Sequence, residues 1–172
     1  MNENVDAARI VEVLNRRGVR YVVIGGYAAE LHEVAGLPPT RDIDVCPDTD
    51  RENLERLSGA LGELRALIRT DAVDGGLPFA HDAESLGRAK MWNLVCDAGE
   101  LDISFQPAGG GYDHLEVGAV VIDLLGQRVP VASIDDVIAS KTAAGRPKDL
   151  STLPILRRHQ LRRLDAEDSD RS

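Results

Sequence analysis

YVVIGGYAAELHEVAGLPPTRDIDV, residues 21–45, is the stretch of this chain on which its fold turns. The apolar run Tyr21 to Ile24 reads as a buried strand, stopped by Gly25-Gly26 and followed at once by a helical pattern over Gly26 to Val34. Gly36 and the pair Pro38-Pro39 close that helix. Then come Arg41 and Asp42-Ile43-Asp44-Val45, two acids alternating with two β-branched apolar residues. Successive side chains of a strand point to opposite faces. Asp42 and Asp44 therefore share one face while Ile43 and Val45 face the core. Acids two positions apart on a strand lie roughly 6–7 Å apart at the backbone, within reach of a shared divalent cation.

Other segments match an acid-x-acid pattern, among them Asp48-Thr49-Asp50, Asp82-Ala83-Glu84 and Asp165-Ala166-Glu167, but none has apolar residues at both the intervening and the following positions. Only Glu100-Leu101-Asp102-Ile103 repeats the strand alternation. There Leu101, Ile103 and Phe105 form the core stripe, with Asp102 and Ser104 on the other side. A sheet that set Asp102 beside Asp42 and Asp44 would crowd three carboxylates together. Their repulsion raises at least one pKa unless cations neutralise them. A divalent metal with oxygen ligands resolves the conflict, Mg²⁺ completing its shell with waters and substrate phosphates.

The remaining pattern supplies a frame for these strands. Val5 to Arg16 has a helical apolar period stopped by Gly18. Asp48 or Asp50 caps a helix reaching Leu64, and residues 71–88 read as irregular or as one short helix. Trp92–Cys96 and Leu101–Phe105 form a hairpin around Asp97-Ala98-Gly99. Gly109 to Gly111 is a loop without the Lys-Ser/Thr of a P-loop. Val117–Leu125 and Arg128–Val131 suggest a second hairpin. Ser133-Ile-Asp-Asp136 is a capping-box pattern opening a helix to Ala144, and Pro147 opens a last helix to Leu164. The expected fold is α/β (α+β), a single domain over residues 1–164 with a mixed sheet flanked by helices. Residues 165–172 are expected as a disordered acidic tail.

Composition narrows the class. The 172 residues are 43% hydrophobic, enough for one real core. No apolar run approaches the length of a membrane span, and no leader pattern opens the chain. Cys46 and Cys96 lack metal or disulfide spacing, which suits a reducing cytoplasm; Cys46 reads as a small buried thiol at a strand end. The four histidines, His32, His81, His114 and His159, show no ligand spacing either. The net charge of −9 argues against a general nucleic-acid binder, yet residues 141–163 carry seven basic side chains and one acid. That segment either attracts something anionic or neutralises the protein's own acidic side.

In their order, these elements resemble the DNA polymerase β-type nucleotidyltransferase superfamily. Within it, the chain resembles the small bacterial AbiEii-like toxin nucleotidyltransferases and their uncharacterised relatives. The likeness rests on Gly25-Gly26-Tyr27-Ala28, on Arg41-Asp42-Ile43-Asp44-Val45, on Asp102, and on Lys141-Thr-Ala-Ala-Gly-Arg146-Pro-Lys148-Asp149. It implies an Mg²⁺-dependent transfer of a nucleoside monophosphate from an NTP to a hydroxyl, ATP being one such donor, through a two-metal site that Mn²⁺ can also fill. Asp42, Asp44 and Asp102 would be both catalytic and metal-binding. Asp102, or Glu100 in its place, would receive the acceptor's proton. Gly25 and Gly26 would let the triphosphate approach the backbone, and Lys141 and Arg146 would contact it. The resemblance further implies a toxin acting on a tRNA end or a protein hydroxyl, checked by an antitoxin protein, with no membrane partner. Small-molecule, antibiotic-type nucleotidylation and a non-catalytic nucleotide-binding module are the alternatives.

Overall fold

In a computed structural model, residues 5–171 are described. In chain order they form α1 (Ala7–Arg16), β1 (Tyr21–Ile24), α2 (Gly25–Leu31), β2 (Asp42–Pro47), α3 (Arg51–Glu63), β3 (Leu67–Ile68) and α4 (Ala83–Gly87). These are followed by β4 (Met91–Cys96), β5 (Gly99–Ser104), α5 (Tyr112–Gly118), β6 (Val120–Leu124), β7 (Gln127–Val131), α6 (Ile134–Ala144) and α7 (Pro147–Asp170). The strands make one mixed sheet in the order β3-β4-β5-β2-β1-β7-β6. β2 runs parallel to β5 and β1 parallel to β7, while the other pairs are antiparallel. This is the mixed, helix-flanked sheet expected from the pattern.

Local chemistry sets the element ends. Asp6, Asp50 and Asp82 each accept a backbone N–H and cap α1, α3 and α4. Ser133 caps α6 by accepting the Asp136 N–H, and its hydroxyl donates to Asp136 Oδ2. Gly145 ends that helix in the left-handed region, φ +62°. Pro147 opens α7, where its missing N–H costs nothing.

The core gathers the predicted stripes. Ile43 and Val45 of β2 and Leu101 and Ile103 of β5 are fully buried, together with Ile10, Val11 and Leu14 of α1 and Leu57 and Leu61 of α3. Burying each such side chain is worth about 1.5–3 kcal/mol. Because strand side chains alternate, that packing commits Asp42, Asp44 and Asp102 to the other face.

Four boundaries differ from the sequence reading. α2 stops at Leu31, and Glu33 turns the chain in the left-handed region, φ +58°. The run Val117–Leu125, expected as one strand, divides between α5 and β6, since only Leu115 of α5 is buried and Gly118 ends the helix. β3, two residues long, is too short to leave a periodic signal. α7 continues past Leu164 to Asp170, so the acidic segment described here is helical, although residues 161–171 are all exposed. Among the described residues no helix is long and apolar enough to cross a membrane.

Candidate metal and nucleotide site

Parallel pairing of β2 with β5 sets Asp42 opposite Glu100 and Asp44 opposite Asp102. Asp42, Asp44 and Asp102 each present a carboxylate oxygen, and these oxygens lie within 4.8 Å of one another. All three side chains are half-buried. Burial first, then Asp42 and Asp102, push the Asp44 carboxyl up to about 7; Lys148 and Arg146 oppose the shift. Burial likewise raises Asp102, against the pull of Arg69. Three hard oxygen donors at this spacing, two of them (Asp42 and Asp44) without an ion pair among the described residues, fit a divalent cation such as Mg²⁺ or Mn²⁺.

The two glycines meet this cluster from α2. A Cβ on Gly25 would stand 2.7 Å from Asp44 Oδ2, and Gly25 has φ +67°. Both the contact and the conformation require glycine. A Cβ on Gly26 would collide with Thr40 Cγ2. Thr40 is held there by Glu30, which accepts from both its N–H and its hydroxyl. The loop before β2 is thereby tied to the helix that follows β1.

Lys141 and Arg146 come together on one acid. Asp149, with 1% of its side chain exposed, accepts from Lys141 Nζ at 3.3 Å and from Arg146 Nε at 2.6 Å. Burial alone would raise Asp149, but the Arg146 hydrogen bond and Lys141 hold it below the usual carboxylate range. Lys148, although next to Asp149 in the chain, makes its charge felt at Asp44 instead.

Arg69 was not anticipated. Its guanidinium meets Glu100 Oε2 at 2.5 Å and both oxygens of Asp102 at 3.0 and 3.1 Å. Arg69 thus engages both β5 acids, and it is the strand register that makes Asp102 the one beside Asp44. Arg69 follows the two-residue strand β3, and no sequence spacing ties it to β5. Lys148, by contrast, belongs to the Lys141–Asp149 segment on which the resemblance rests. Trp92 packs against Phe79 and donates to the Leu86 carbonyl, while Cys46 is buried and its thiol is pushed up to about 12.

No protein-family model matches the sequence, and neither does any curated protein. Solved structures do resemble the fold. The antibiotic-resistance factor ANT(2'')-Ia aligns over 96% of this chain and 94% of its own, with TM-score 0.55 and 14% identity. The lincomycin-bound lincosamide antibiotic adenylyltransferase LnuA aligns over 90% and 98%, with TM-score 0.59 and 16% identity. A candidate nucleotidyltransferase from Thermotoga maritima aligns over 86% and 88%, with TM-score 0.51 and 19% identity.

Proposed function

We propose that this chain, which has the fold of the nucleotidyltransferases, moves a nucleoside monophosphate from an NTP to an acceptor hydroxyl and releases pyrophosphate. The observation that carries this reading is the convergence of Asp42, Asp44 and Asp102, drawn from two strands in parallel register, against Gly25. Asp42, Asp44 and Asp102 would hold Mg²⁺, or Mn²⁺ in its place. Bound there, such cations supply charge neutralisation to the triphosphate and to the attacking and leaving oxygens.

The chain's own residues do the rest by position and charge. Gly25 and Gly26 keep the strand-to-helix turn bare, so backbone N–H groups can approach phosphate. Arg146 and Lys148, whose charges reach Asp44, and Lys141, fixed through Asp149, present cations to the same anion. In this reading Asp102 takes the proton from the acceptor hydroxyl. Arg69 orients it by gripping both of its oxygens.

The acceptor in this reading is a tRNA end or a protein hydroxyl, in a cytoplasmic toxin restrained by an antitoxin. The basic run of α7 supports an anionic partner. A second reading, a small-molecule acceptor, is supported by the antibiotic adenylyltransferases whose folds this chain matches almost end to end. Incubation with each labelled NTP, Mg²⁺, and total tRNA, an aminoglycoside or lincosamide, or buffer alone separates them. Label on RNA supports the first reading, label on the antibiotic the second, and self-labelling a protein acceptor. Absence of transfer to any of them, with NTP still bound, would leave a nucleotide-binding module. Growth arrest on expression, abolished by Asp44→Asn, tests the toxin role.

A further inference from the structure

At the opposite end of α2 from Gly25, the helix and the final helix enclose a second polar site. From Gly25 to Glu33 is roughly 12 Å at the helical rise. A cavity of about 150 Å³ opens there, lined by Glu33, Ala35, Ile155, Arg158, His159 and Arg162. That space exceeds what a single water needs. Ile155, Arg158, His159 and Arg162 are spaced i, i+3, i+4 and i+7, so they share one face of α7. Ile155 packs against the core, and the face becomes cationic further along.

Two features make this wall more than a solvated helix surface. His159 Nε2 is buried and has no hydrogen-bond partner. A buried polar nitrogen without a partner is uncommon and costly. Arg158 and Arg162 form no ion pair or hydrogen bond among the described residues, whereas most arginines of this acidic chain are engaged by carboxylates. The same region is positive enough to act on a neighbour. His32 is lowered by burial first, and then by Arg163 and His159.

We propose that this cavity binds a phosphate group, with the guanidinium groups of Arg158 and Arg162 closing on it from the rim and the His159 ring, whose Nε2 has no partner inside the fold, turning to donate to it. Guanidinium and phosphate match in charge and in fork geometry. Glu33, the one acid in the lining, opposes the anion and limits its affinity. The phosphate comes either from a nucleic-acid backbone or from a free phosphate or nucleotide. The site is separate from the acid cluster and does not depend on transfer chemistry.

The test is made on the full chain in EDTA, which removes divalent cations from the acid cluster. Inorganic phosphate, ATP and a short fluorescent single-stranded RNA are titrated while the His159 imidazole is followed by NMR. Phosphate is expected to move the His159 resonances and to compete with RNA. The double variant Arg158→Ala/Arg162→Ala should weaken binding at least tenfold and flatten the salt dependence by about one to two counterions. Arg158→Lys/Arg162→Lys should retain part of it, and Glu33→Gln should tighten it severalfold. RNA binding far above that of free phosphate identifies a strand as the source. Binding of phosphate and ATP without RNA identifies a free anion. The proposal is overturned if tens of millimolar phosphate leave His159 unmoved, or if the double variant binds as the wild type does. Asp44→Asn should retain this binding in full, so loss of transfer and loss of the phosphate site remain separate results.

Discussion

Two aspartates of this molecule, Asp44 and Asp149, are both withdrawn from water and have opposite electrostatic fates. Asp149 is met by Lys141 and Arg146 within its own chain, and its carboxyl is held low. Asp44 has acids for its nearest charged neighbours, sits against a bare glycine, and is pushed up to about 7. One acid has been neutralised by the fold. The other has been left for something the fold does not supply. A buried charge without a built-in partner lowers stability, and such groups concentrate where a ligand completes the site.

Substitution at the two positions should therefore move activity and stability in different combinations. Asp44→Asn is expected to reduce nucleotidyl transfer by at least a thousandfold while raising the melting temperature of the metal-free protein. Because one pKa unit is about 1.4 kcal/mol, the relief at neutral pH amounts to at most about 4 kcal/mol. A fall in melting temperature would mean that Asp44 is structural. Asp149→Asn is expected to lower stability by about 1–3 kcal/mol, since it strips two cations of their partner. It should weaken NTP binding without removing Mg²⁺ binding, as read by calorimetry.

The pH dependence carries the same contrast with the sign reversed. Between the ordinary value of 3.8 and about 7, folded Asp44 retains a proton that the unfolded chain has lost. Stability of the metal-free protein from this group falls as pH rises through that window, and Asp44→Asn should remove the slope. Asp149, held below its ordinary value, contributes stability that is fully present above pH 3.8 and is lost as pH falls through its depressed pKa. Thermal melts across pH, with and without Mg²⁺ and NTP, check both, and ligand should raise the melting temperature by mass action. The smallest effect is expected at Arg69. Arg69→Met should weaken Mg²⁺ binding severalfold and shift the acid limb of the transfer profile upward in pH, because Asp102 loses the guanidinium that opposes its raised pKa.

How much of this was legible before folding follows from the range of each interaction. β1 and β2 were plain because alternation and glycine punctuation are local signals, and burial of Ile43 and Val45 leaves Asp42 and Asp44 one side to occupy. Asp102 was recoverable because its own strand alternates as well. Arg69 was not, since its partners lie on β5, more than thirty positions along the chain. The α5–β6 division was hidden by a run of valines, whose strand preference is overridden at Val117, itself 85% exposed. The phosphate-binding face of α7 was seen as charge alone. Its geometry depends on Glu33 turning the chain out of α2, and only the fold brings that turn opposite Arg158 and Arg162.

The in-step alignment of β2 and β5 has an evolutionary corollary. About fifty residues separate these strands, so the loops and helices between them can lengthen or shorten while residues 44 and 102 still stand side by side. A single residue inserted within residues 99–101 is another matter. It would rotate the downstream acid through the sheet to the oily side, leaving a protein that folds poorly and has lost its chemistry.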